Sequence, residues 1–218
     1  MPIIKNEIDR AKFNPDAVLP YELRLRDFEI AMQDAYDFFY DVNSYLIGKG
    51  LQRLDDLLRK QTMSGFLSDM LTASMAKHSR TLTENRYHNG HPDLIVRGRY
   101  PNDSVKAGTD GVEIKSTLKR GGQVDTHGAR NQWLAVFVYR VDREAEPAVD
   151  RAPMEFTEVY IAEVTTEHFG RHLRGELGTP TSALHKEGLA ILRQNWVYRF
   201  EEPRAVKQRA LVPPRTPS

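Results

Sequence analysis

Trp133-Leu134-Ala135-Val136-Phe137-Val138-Tyr139 is a near-continuous apolar run. A strand with one wet face alternates apolar and polar residues. An unbroken run of this length predicts a strand buried on both faces, inside a sheet covered on two sides. Upstream, Val112-Glu113-Ile114-Lys115 alternates apolar and charged residues, and Pro92-Asp93-Leu94-Ile95-Val96 is a short strand signal. Turn-like glycines at 108, 111, 121 and 122 punctuate these segments. Downstream, 157–164 and 196–200 read as two more strands, with a helix over 181–193 between them.

The N-terminal part has another texture. Residues 1–19 are a polar lead-in broken by Pro15. Pro20 is placed to open a long helix, where its missing N–H costs nothing. Leu25, Phe28, Met32, Ala35, Phe39, Val42 and Leu46 recur at spacings of three and four, and Gly48 and Gly50 end the pattern. That seam serves either the chain's own core or a homodimer interface. Leu51, Leu54, Leu57 and Leu58 mark a short second helix. A third runs over 62–77, with Phe66, Leu67, Met70 and Leu71 on one face. Helices first and strands after predict an α/β fold: a central mixed β-sheet flanked by helices, with a helical N-terminal region. The division expected is 1–80 helical, in the same domain or as a dimerisation subdomain, 81–202 the sheet-bearing core, and 203–218 a flexible basic tail.

With 218 residues and 25.0 kDa the chain is long enough for a sizeable core. It has no Cys, which removes disulfide scaffolds, thiol catalysis and Cys-ligated zinc or iron–sulfur sites. Mean hydropathy is −0.56, no apolar run approaches the ~18 residues of a membrane span, and the first residues lack a signal-peptide pattern. No membrane partner is expected, and the expected location is cytoplasmic. Thirty-one basic against 30 acidic residues argue against a wholesale polybasic coat on nucleic acid, though a local basic cleft remains open. There is no Gly-x-Ser-x-Gly elbow, no Walker loop and no dinucleotide glycine fingerprint. A two-carboxylate glycosidase would need a sugar cleft with stacked aromatics, of which there is no sign.

The chemistry concentrates in 88–132. Side chains alternate along a strand, so Glu113 and Lys115 share one face while Val112 and Ile114 take the other. A hairpin-like return from Asp93 would bring it beside Glu113. The result is two carboxylates and an ammonium at the rim of a sheet. Mg²⁺ takes one or two carboxylates and keeps several waters, and the Ile114 carbonyl adds a further oxygen. Such a site suits phosphodiester hydrolysis: metal polarises the phosphate and acidifies a bound water. Lys115 can orient that water or offset developing charge.

Pro92-Asp93 followed by Glu113-Ile114-Lys115 resembles the Pro-Asp…(Asp/Glu)-x-Lys signature of the PD-(D/E)xK, restriction-endonuclease-like nuclease superfamily. The resemblance implies that Asp93 and Glu113 bind Mg²⁺, with Mn²⁺ able to substitute, and that Lys115 serves the attacking water. It implies a restriction-endonuclease-like core, helices around a mixed sheet, over 81–202. The activity implied is that of a type II restriction enzyme: a homodimer cutting double-stranded DNA at a specific site and leaving 5′-phosphates, with a cognate methyltransferase as partner.

Some members of that superfamily use an extra acid on a preceding helix, for which Asp69 is the candidate, with Glu84 and Glu22 behind it. His88 and His91 flank Asn89-Gly90 and read as loop histidines that touch phosphate or water. After Lys115 the chain is unusually polar. Ser116, Lys119, Arg120, Gln123, His127, Arg130 and Asn131 form a candidate DNA-facing lip, since Lys and Arg neutralise phosphates and Arg, Asn and Gln read base edges. Two other readings stand: a structure-specific repair, recombination or mobile-element nuclease on the same fold, and a DNA-binding module that has lost catalysis.

Overall fold

The computed structural model describes residues 4–126, 128–172 and 181–200. The expected basic tail over 203–218 and the candidate His127 lie outside them. Three helices come first: Leu25–Gly48 (α1), Leu54–Leu57 (α2) and Lys60–His78 (α3). Nine strands follow: Leu82–Glu84 (β1), Leu94–Val96 (β2), Gly111–Thr117 (β3), Asp125–Thr126 (β4), Gln132–Arg140 (β5), Glu155–Val164 (β6), Phe169–His172 (β7), Thr181–Leu184 (β8) and Trp196–Arg199 (β9). One further helix, Lys186–Gln194 (α4), precedes β9.

Six strands form a mixed sheet in the order β1-β2-β3-β5-β6-β9. The β3–β5 pair is parallel and its neighbours are antiparallel. The expected mixed sheet flanked by helices is present. Alternate residues of β5 enter two cores, as its unbroken apolar run demands. Ala135, Phe137 and Tyr139 join α1 and α3 on one face. Leu134, Val136 and Val138 meet Tyr160, Leu184 and Leu192 on the other. There a small sheet, β4-β8-β7, and α4 form the cover.

Most of the α1 seam packs inside the chain, while Val42 and Leu46 at its C-terminal end are only half-buried. Phe28, Met32, Ala35 and Phe39 are buried, and the Phe28 ring stacks on Phe137 with centroids 5.9 Å apart. Burying each of the Phe and Met side chains contributes about 1.5–3 kcal/mol. The helix starts at Leu25 and not at Pro20. Tyr21 and Glu22 have positive φ, and Asp27 caps the helix by accepting from the Arg24 N–H at 2.8 Å. Both ends of α3 extend beyond the expected 62–77, and its inner face is Met63, Leu67, Leu71 and Met75. The N-terminal helices share one hydrophobic core with the sheet. The helix expected over 181–193 begins only at Lys186, because Thr181–Leu184 is strand β8, paired with β4 and β7.

Candidate active site

Two antiparallel strands and a close backbone approach build the site. Leu94 pairs with Val112 and Ile95 with Gly111, which puts Asp93 opposite Glu113. A Cβ on Gly111 would lie 1.9 Å from the Leu94 carbonyl oxygen, so only glycine lets β2 and β3 close here. Asn85 fixes the approach to Asp93. Its side-chain amide donates to the Pro92 and Val105 carbonyls, and its N–H donates to the Asp93 carbonyl.

The side chains then meet. Asp93 Oδ2 accepts from the Ile114 N–H at 2.8 Å. Lys115 Nζ lies 2.5 Å from Glu113 Oε1, 3.2 Å from the Ile114 carbonyl oxygen and 3.5 Å from Asp93 Oδ2. Asp93, Glu113, Ile114 and Lys115 therefore come together around one point. Glu113 is 2% exposed at its side chain and Asp93 28%. Burial pushes Asp93 up; Lys115 pulls it down and the Glu113 charge pushes it up again, leaving it at about 6. Burial also pushes Glu113 up, but the His91 hydrogen bond and the Lys115 charge outweigh this and bring it down to about 2. Burial lowers the Lys115 ammonium, and its two carboxylate neighbours outweigh that and raise it.

His91 is the residue that sequence reasoning left in the loop. Its Nδ1 lies 3.2 Å from Glu113 Oε2. Strand alternation could not have found it, because 92 and 93 are bends and β2 begins only at Leu94.

Other expected residues fall elsewhere. Asp69 is exposed on α3 and makes no hydrogen bond or ion pair among the described residues, so it does not join the carboxylates. Glu84 and Glu22 are exposed too. Ser116 is 7% exposed and turned toward α3, donating to the Ser64 carbonyl at 2.7 Å while its N–H donates to Ser68 Oγ at 3.0 Å. It is a strand–helix tie and not a DNA contact, because alternation puts 114 and 116 on the face opposite Glu113.

The polar segment does not form one lip. Lys119, Arg120 and Gln123 are exposed on the turn after β3. Thr117, which opens that turn, is about 13 Å along the strand from Glu113. Arg130 and Asn131 precede β5 at the end where Val112 pairs with Trp133, nearer the carboxylates. Asn131 is occupied structurally, its Oδ1 accepting from the Thr166 N–H at 2.9 Å.

Among the described residues, no three His, Asp or Glu side chains converge as a ready-made metal cage. No described helix is long and apolar enough to cross a membrane. Comparison with family models, curated proteins and solved structures returns no match.

Proposed function

We propose that the chain is a Mg²⁺-dependent endonuclease that hydrolyses double-stranded DNA at a specific sequence, a type II restriction enzyme of the PD-(D/E)xK kind. One observation carries this reading: Asp93 Oδ2, Glu113 Oε1 and the Ile114 carbonyl converge on the Lys115 ammonium. The resemblance assigns the two carboxylates to the cation and the strand geometry adds the Ile114 carbonyl, and all three oxygens already surround a positive charge. Two carboxylates and a carbonyl, with no sulfur donor, fit Mg²⁺, which completes its shell with water.

Bound there, Mg²⁺ would supply a polarised phosphate and a more acidic water. The protein's own groups do the rest. Asp93 and Glu113 would hold the cation, and the Ile114 N–H keeps the Asp93 carboxylate aimed. Lys115, exchanged out of the oxygens, orients the attacking water and offsets charge that develops on the phosphate. Arg130 is the nearest of the expected cations by strand register and is suited to a phosphate contact. The described residues carry one such set, so a homodimer would place one set at each strand.

The test is a digest of plasmid and phage DNA by purified protein in Mg²⁺ and in EDTA, beside Lys115→Ala. Discrete Mg²⁺-dependent fragments, absent with the variant, are the expected result. Cleavage confined to branched or flapped DNA would move the reading to a repair nuclease. Mg²⁺-independent binding with no cleavage of any substrate would overturn it in favour of a binding module.

A further inference from the structure

We infer that His91 is a positioning residue: its Nδ1–H holds Glu113 Oε2 and thereby fixes Oε1 as the oxygen offered to the cation. The inference rests on the nuclease reading and goes beyond it, since the signature motif assigns nothing to residue 91.

Glu113 is buried, and each of its oxygens has one described side-chain partner. Oε1 is shared with Lys115, at the point where Asp93 Oδ2 and the Ile114 carbonyl also converge. Among the described residues, the side chain that meets Oε2 is His91. An ionised carboxylate can only accept, so His91 Nδ1 carries the proton. A cation among the three oxygens takes the place of the Lys115 ammonium. His91 is then the described side chain still fixing the Glu113 rotamer.

The imidazole has a firm mount. The His91 N–H donates to the Lys106 carbonyl at 3.1 Å, and the Gly108 N–H donates to the His91 carbonyl at 2.7 Å. These two bonds form a bridge to Ala107. On the other side, a Cβ on Gly90 would lie 2.4 Å from the Val105 carbonyl and 2.6 Å from the Asn85 amide, so the backbones close tightly there. The His91 side chain is 16% exposed. A donor held this way removes the cost of ordering a three-torsion carboxylate when the cation arrives.

The test is Mg²⁺ binding by calorimetry on the full chain with His91→Ala, His91→Asn and His91→Gln, with melts to confirm folding. The Asn amide nitrogen stands in for Nδ1, whereas the longer Gln places its amide nearer the Nε2 position. Ala and Gln are expected to weaken Mg²⁺ binding by about 10–100-fold while Asn stays within about threefold of the parent, the size usual for groups that orient metal ligands. Cleavage by His91→Ala should recover at raised Mg²⁺, because the defect lies in presenting the oxygen and not in attack. Parent-like binding by all three variants would overturn the inference, as would equal weakening by all three. If Ala does not fold, the Asn–Gln contrast alone decides. If the parent chain itself takes up no Mg²⁺, the nuclease reading fails first and the inference with it, a result distinct from any difference among variants.

Discussion

Lys115 sits where two demands meet. Its ammonium lies among the three oxygens that a catalytic cation would use, and the proposed reaction would use it again for the attacking water. Replacing it with Met removes a competing charge but keeps the aliphatic stem. Lys115→Met is therefore expected to bind Mg²⁺ at least about tenfold more tightly, equivalent to about 1.4 kcal/mol. It should lose cleavage by about 100-fold or more, the usual size for a group acting on developing charge. Calorimetry and single-turnover cleavage check the two halves; weaker Mg²⁺ binding would contradict the competition. Asp93 gives a pH signature. Its folded-state value of about 6 lies above the ordinary carboxyl near 4, so the folded chain holds this proton more tightly. That contribution to stability is fully present below about pH 4 and is lost as pH rises through about 6. Asp93→Asn removes the loss. In EDTA its melting temperature should equal the parent's near pH 4 and exceed it above pH 6, by an amount worth about 1–3 kcal/mol after discounting for partial exposure. A difference that is constant with pH would sink this account of the carboxyl.

The hairpin of β2 and β3 is the element that makes the site. Gly111→Ala puts a methyl group 1.9 Å from the Leu94 oxygen and must part the two strands. The expected outcome is a stability loss of about 2–4 kcal/mol together with lost Mg²⁺ binding. Gly65→Ala, on α3 with nothing within 4 Å of the new Cβ, is the control, expected to be neutral or to gain up to about 1 kcal/mol of helix propensity. Equal melting of the two variants would contradict the close-approach argument. The strands bearing Asp93, Glu113 and Lys115 were legible because their patterns are local: Val112 and Ile114 alternate with the charges, and 133–139 has no polar break. Strands β4, β7 and β8 were not legible, because they exist only through partners far along the chain. The face of Ser116 was readable from the same alternation, since it follows Val112 and Ile114; what the sequence did not show is that Ser64 and Ser68 of α3 cover it. Asp69 failed because its helix covers the sheet face that Ser116 takes, opposite Glu113.

Across the whole molecule, the sheet separates two cores and the reactive groups gather at one end of β3, where it meets β2 and β5. Charge balance overall is compatible with a DNA enzyme, because phosphate contacts need a local cluster and not a polybasic surface. Most of the α1 seam, from Leu25 to Phe39, packs into the chain's own core, so the homodimer of the proposed function would draw mainly on other surfaces. The cation site is the centre of this account, and one measurement tests it without any substrate. Fe²⁺ loaded in place of Mg²⁺ and treated with peroxide produces hydroxyl radicals that cut the backbone beside the bound metal. The account predicts cuts near Asp93 and near Glu113, suppressed by excess Mg²⁺ and absent in Glu113→Gln. Cuts elsewhere, or a pattern indifferent to Mg²⁺ and to Glu113, would contradict it.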